Sequence, residues 1–183
     1  MIELSFTFTT TLVVLFFFLF RLLVNRKHKA FRPKTEALQL LFLLNLVVIS
    51  RFVFHPMETV NGHIQPLVFD SAAAWPFRIN LIPFVNLLDY ESKRDLLLNI
   101  AGNSLMFIPT GILAPILYKK LASFKKTVLT GFLISLSIEI LQLPFAVRAS
   151  DIDDLILNTA GVIAGYSIYA LAKHLYTRKK ATL

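Results

Sequence analysis

The chain has 183 residues, 56% of them hydrophobic, with a mean hydropathy of +0.66, no cysteine and a formal net charge of +8. That composition excludes an ordinary soluble domain, and the missing cysteine excludes disulfides, thiolate nucleophiles and cysteine-ligated metals. The basic residues are divided among separate loops rather than gathered on one surface, which argues against nucleic-acid binding.

A spanning helix needs about 20 apolar residues to cross a hydrocarbon core roughly 30 Å thick. Five stretches meet that length, at about residues 5–24, 37–54, 96–118, 127–146 and 155–174. The expected fold is all-α, a polytopic membrane helix bundle of about five transmembrane helices. The first segment is rich in Phe and Thr, with Glu3 ahead of it and its basic cluster behind, so no cleaved signal peptide is expected. Residues 1–54 thus form two N-terminal spans. Residues 55–95 form an outer interfacial segment, with Trp75 as an aromatic anchor and the run Ile79–Leu88 too short to cross. Residues 96–174 supply a three-helix polar core, whose first helix carries Pro109, Gly111 and Pro115 and is expected to kink near Pro109. A basic cytoplasmic tail, 175–183, closes the chain.

Basic residues set the orientation. Three regions on one side of a five-span topology hold 13 of the 19 Lys and Arg: Arg26 to Lys34, Lys119 to Lys126, and Lys173 to Lys180. Ten of the 11 acids lie away from these loops, Glu36 beside Lys34 being the exception. The N-terminus is therefore expected outside and the C-terminus inside.

Polar residues recur on single helical faces within this apolar sequence. Asp151, Asp154, Asn158, Gly161 and Gly165 follow steps of 3, 4, 3 and 4, which align them on one stripe. Asn99 and Asn103 lie four apart, and Gly131, Ser135, Glu139 and Gln142 share another face. Under the expected topology, Asn99, Asn103, Glu139, Gln142, Asp151 and Asp154 reach a similar depth near the outer surface. Structural roles compete with functional ones. Asn158 and the Asn99/Asn103 pair suit interhelical hydrogen bonds, Gly161 and Gly165 suit close helix packing, and Ser150, Asp151 and Asp153 suit an N-cap. The four histidines lie in or near loops and read as solvated or interfacial. Glu139 is the hardest to explain structurally, because a carboxylate among Leu136, Ile138, Ile140 and Leu141 must be protonated or paired. Arg148 is the nearest basic residue in sequence.

The block Glu139-x-x-Gln142, then Arg148-x-x-Asp151-x-x-Asp154-x-x-x-Asn158-x-x-Gly161-x-x-x-Gly165, resembles the signature of VanZ-like membrane proteins. Asn80-Leu81-Ile82-Pro83-Phe84 and Asn99-x-x-x-Asn103-x-x-x-Phe107-x-Pro109-x-Gly111 resemble the family's other motifs. The resemblance covers about residues 78–170. The family is associated with bacterial resistance to teicoplanin-type glycopeptide and lipoglycopeptide antibiotics, so the resemblance implies an envelope role in a bacterial plasma membrane.

The resulting expectation is a non-enzymatic protein with an outward-facing pocket for an envelope lipid or lipid-linked ligand. Arg148 would meet a phosphate or carboxylate. Asn80, Asn99, Asn103 and Gln142 would orient the ligand beside Asp151 and Asn158, and Glu139 and Asp154 would position Arg148. Partners would be membrane lipids and a lipid-linked envelope precursor or lipoglycopeptide. No cofactor and no metal are expected, since the acids match no dedicated metal loop. One competing reading is an intramembrane enzyme acting on a polyprenyl-phosphate or phospholipid substrate through Glu139 and Asp151 or Asp154, although no activated nucleophile is evident. Another is a small lipid transporter or flippase.

Overall fold

Short polar signals start the helices that the hydropathy pattern extends. The structure, a computed structural model, describes residues 2–24, 32–55, 59–70, 75–145 and 148–181. Its helices are α1 (Phe6–Val24), α2 (Pro33–Phe54), α3 (Val85–Leu88), α4 (Lys93–Leu117), α5 (Phe124–Gln142) and α6 (Ile152–Ala181). Pro33 occupies the first turn of α2, where its missing N–H costs nothing. Ser92 caps α4, its Oγ accepting from Asp95 N at 3.4 Å. Asp151 serves the start of α6 in the same way, accepting from Asp153 N at 2.9 Å.

Among the described residues, four helices are able by length and composition to cross a membrane: Phe6–Leu23 within α1, and the whole of α2, α4 and α6. The protein is an all-α, multi-pass membrane bundle. The fourth segment of the sequence reading is α5, 19 residues long, which carries Lys125, Lys126 and Glu139. Helix α4 runs through both Pro109 and Pro115. Arg26, Lys27 and Lys29, which weigh in the orientation argument, lie outside the described residues, as does His28.

The chain divides into two compact units. The first comprises residues 1–80 and 138–150. Here α1 packs on α2, with the Phe17 and Phe42 rings 6.5 Å apart and an Arg21–Glu36 ion pair joining the helices. The outer face of α1 leaves Leu15, Phe16, Leu19, Leu22 and Leu23 exposed, a surface suited to lipid. Strand β1 (Ile2–Leu4) pairs antiparallel with β4 (Leu67–Phe69), setting Leu4 opposite Leu67. Between them in sequence, β2 (Thr59–Val60) and β3 (His63–Ile64) form a hairpin. Its turn residues Asn61 and Gly62 both take positive φ, at 51° and 76°, the pairing that a tight two-residue hairpin favours. Ser150 N donates to Arg78 O at 2.9 Å, beside the two-residue strand β5 (Ile79–Asn80).

The second unit comprises residues 81–137 and 151–183. Its core is the seam between α4 and α6, where Phe107 and Val162 are fully buried. Glycine makes that seam possible. A Cβ on Gly161 would lie 3.1 Å from Phe107 Cβ and closer still to the Ser104 carbonyl. One on Gly165 would lie 3.0 Å from Gly111 Cα and closer to the Ile108 carbonyl. Gly111 faces the same obstacle from the Val162 carbonyl, and on α5 Gly131 makes room for the Val162 side chain. Asn158 Nδ2 donates to Ser135 Oγ at 2.9 Å, a buried bond between α6 and α5.

Candidate functional site

Any helix ends with its last carbonyls unserved by its own N–H groups and with a partial negative charge there. The end of α2 is served by three side chains. Gln142 Nε2 donates to Val53 O at 2.8 Å, Arg148 Nε to Phe54 O at 3.0 Å, and Arg51 Nη1 to His55 O at 3.3 Å. Two of these donors come from the chain some 90 residues later. The first unit thus concentrates two guanidinium groups at one point. A guanidinium has five donors in a planar fork, and fixing Arg148 through Nε orients the rest of it. Gln142 is buried, and its Oε1 has no hydrogen-bond partner among the described residues. Glu139, 4% exposed, belongs to the same unit.

His55 completes this cluster. The sequence reading placed all four histidines in solvated or interfacial positions. His63 and His174 are exposed as expected, but His55 is 0% exposed. Its ring lies edge-on to Phe6, with centroids 5.5 Å apart. Nδ1 lies 3.1 Å from the Gln65 carbonyl, which can only accept, so Nδ1 carries the proton. Nε2 lies 2.9 Å from the Thr9 hydroxyl, whose single proton is shared between this nitrogen and the Phe6 carbonyl at 3.0 Å. Burial lowers the His55 pKa below 6.5; the Gln65 carbonyl opposes this, while the positive charges of Arg51 and Arg148 add to it. A histidine just past a helix end reads as loop chemistry in sequence, and only the return of residues 65 and 9 encloses it.

The second unit carries an amide–carboxylate network. Asn103 Nδ2 donates to Asp154 Oδ1 at 2.6 Å and approaches Asn99 Oδ1 at 3.5 Å. Burial raises the Tyr90 pKa above 10, with Asp154, Asp151 and Asp95 adding to the rise because each disfavours a phenolate. The Asn99 amide favours the ionised form of Tyr90, but weakly. Asp151 Oδ2 accepts from Asn86 Nδ2 at 2.5 Å, and Asp153 Oδ1 accepts from Phe84 N at 2.7 Å. Asp153 is 2% exposed. Among the described residues, no group of three His, Asp or Glu side chains is placed to hold a metal ion.

The residues singled out from sequence therefore divide. Asn80, Glu139, Gln142 and Arg148 belong to the first unit; Asn99, Asn103, Asp151, Asp154, Asn158, Gly161 and Gly165 belong to the second. Within these sets the structure joins Asn99, Asn103 and Asp154, sets Gln142 and Arg148 on neighbouring carbonyls, and gives Asn158 to Ser135. His55, Tyr90, Asn86 and Asp153 were not among the candidate ligands.

The family model of VanZ/LLP1 matches residues 38–173, nearly three quarters of the chain. The chain belongs to the VanZ/LLP1 family. Its matched region opens in α2 and closes in α6, so it contains both clusters and leaves out α1. Protein VanZ of Enterococcus faecium is 28% identical over 148 residues, covering 79% of this chain and 80% of that protein. No solved structure gives a significant match. This VanZ/LLP1 protein is accordingly a multi-pass membrane protein similar to VanZ.

Proposed function

We propose that this VanZ-like protein lies in a bacterial plasma membrane with its N-terminus outside, and that the arginine cluster at the end of α2 binds the anionic head group of an envelope lipid or lipid-linked precursor. Occupying such a head group alters the access of a lipoglycopeptide or a teicoplanin-type antibiotic to surface targets. The observation that carries this reading is the convergence of Arg51 and Arg148 on the carbonyls of Phe54 and His55, beside a histidine held neutral. Arginine costs roughly 2.5–3.5 kcal/mol at a bilayer centre, and a planar fork suits phosphate and carboxylate better than an ammonium does. Capping of α2 by itself requires only hydrogen-bond donors and a positive charge. Gln142 supports the reading as a fixed polar neighbour, and Glu139 as the acid of the same unit.

The test measures binding of a polyprenyl phosphate, and of the same polyprenol without phosphate, to the purified full chain. The phosphate is expected to bind, and Arg148→Lys is expected to lose binding nearly as completely as Arg148→Ala while keeping the melting temperature closer to wild type. Equal binding of alcohol and phosphate, or wild-type binding by Arg148→Lys, removes the anion reading. Orientation is read separately: thiols at Val60→Cys should react with an impermeant reagent outside intact cells, and thiols at Ala122→Cys should not.

A further inference from the structure

Residues Leu81–Leu88 present an unusual surface. Leu81 is 73% exposed and Leu88 83%, with Ile82, Phe84 and Val85 also open. The stretch ends in α3, a helix of four residues, far too short to cross a bilayer. Non-helical backbone enters hydrocarbon only where its polar groups find partners within the protein. Here the partners are built in. Phe84 takes a left-handed conformation, φ 69°, unusual for a residue with a side chain. At that bend its N–H, which no helix serves, meets Asp153 Oδ1 at 2.7 Å. Two residues on, the Asn86 amide meets Asp151 Oδ2 at 2.5 Å. Asp151 uses its other oxygen on Asp153 N, so one carboxylate both starts α6 and holds the loop.

What covers the apolar side chains follows from what comes next. Five residues after α3 begins α4, long and apolar enough to cross a membrane, and its Leu97, Leu98 and Leu105 are exposed. Tyr90, Lys93 and Arg94 lie between, the residue types that mark a membrane–water boundary. The exposed face of 81–88 is thus continuous in the chain with the exposed apolar residues of a helix able to span the membrane, and Tyr90, Lys93 and Arg94 separate the two.

We infer that Leu81–Leu88 is a lipid-inserted wedge, buried among the acyl chains of one leaflet and anchored by the carboxylates of Asp151 and Asp153. Its occupant is the bilayer itself, and the bend at Phe84 turns the chain back before it reaches the opposite leaflet. Asp151 and Asp153 then act as positioning residues for this segment, independently of the arginine cluster and of what that cluster binds.

The chain has no cysteine, so single thiols can be spin-labelled cleanly. Nitroxides at Leu88→Cys and Ile82→Cys would be compared with Leu105→Cys as a lipid reference and Ser123→Cys as a water reference. All are measured on the full chain in phosphatidylethanolamine–phosphatidylglycerol vesicles, with oxygen and a water-soluble nickel complex as relaxing agents. The expected oxygen-to-nickel ratio at residues 82 and 88 matches that at 105 and is several-fold above that at 123. A ratio equal to that at 123 overturns the insertion. Adding Asp153→Ala, or the milder Asn86→Ala, should lower the ratio at 88 toward the water reference. An unchanged ratio in both overturns the anchoring. These outcomes do not depend on phosphate binding, so this inference and the arginine reading fail separately.

Discussion

The seam of the second unit is made by side chains that are missing, whereas the end of α2 in the first is held by side chains that are long and polar. Gly111, Gly161 and Gly165 let α4 and α6 meet backbone to backbone, and close contact is the main attraction between helices where lipid removes the hydrophobic drive. Gln142, Arg148 and Arg51 instead reach across to carbonyls that a helix end leaves open. One arrangement responds to volume and is indifferent to charge. The other is limited by hydrogen bonding.

The sharpest way to break that contrast is to add volume. Gly161→Leu should cost more than the ~1–3 kcal/mol typical of overpacking, because the obstacle is a carbonyl that cannot swing aside. Gly102, also on α4, has no atom within 4 Å of its would-be Cβ, so Gly102→Leu should fold normally. Yields of monodisperse protein in detergent compare the two, and equal yields would show that the seam is not limited by space. The next largest effect is expected from Gln142→Leu, nearly conserved in volume, which leaves the Val53 carbonyl without its donor. A buried polar group left unpaired costs about 1–3 kcal/mol. A thermal-melt series should show Gln142→Leu destabilised and Gln142→Glu intermediate or worse; an unaffected Gln142→Leu would deny that capping matters.

The smallest effect is a pH dependence. Burial holds the His55 pKa below 6.5 in the folded protein, so the unfolded chain binds the extra proton first. Stability from this group is complete above about pH 6.5 and is lost as pH falls toward the lower folded value, since stability rises with pH wherever the unfolded state holds more protons. Melting temperatures of wild type should drop on acidification through that window more than those of His55→Gln. Parallel curves would remove His55 as the cause.

The long helices were legible because hydropathy alone specifies them, and of the stripe Asp151, Asp154, Asn158, Gly161 and Gly165 the last three are buried while the two acids are half-buried. Helix α6 outruns its apolar stretch to Ala181 because Arg178, Lys179 and Lys180 suit a helix C-terminus even where they cannot suit lipid. Strands of two or three residues have no period to read, so the β1–β4 pairing was invisible. Asn103 and Asp154 were expected only at a similar depth, not paired, and the grip of Gln142 and Arg148 on α2 joins motif residues to a helix that reads from sequence as a generic hydrophobic segment. His55 was misread for a related reason: its neighbours Thr9 and Gln65 arrive from both directions along the chain.

The capping of α2 also has a timetable. Val53 and Phe54 leave the ribosome 89 and 94 residues before the side chains that will satisfy them. At roughly 5–20 residues per second, that interval is about 5–20 s, long enough for α2 to enter the bilayer by itself. During it the carbonyls must rely on water, which keeps this end of the helix at the membrane surface rather than in its interior. A nascent chain stopped before Gln142 therefore carries an unfinished α2, and its release is the point at which quality-control proteases should find this protein most vulnerable.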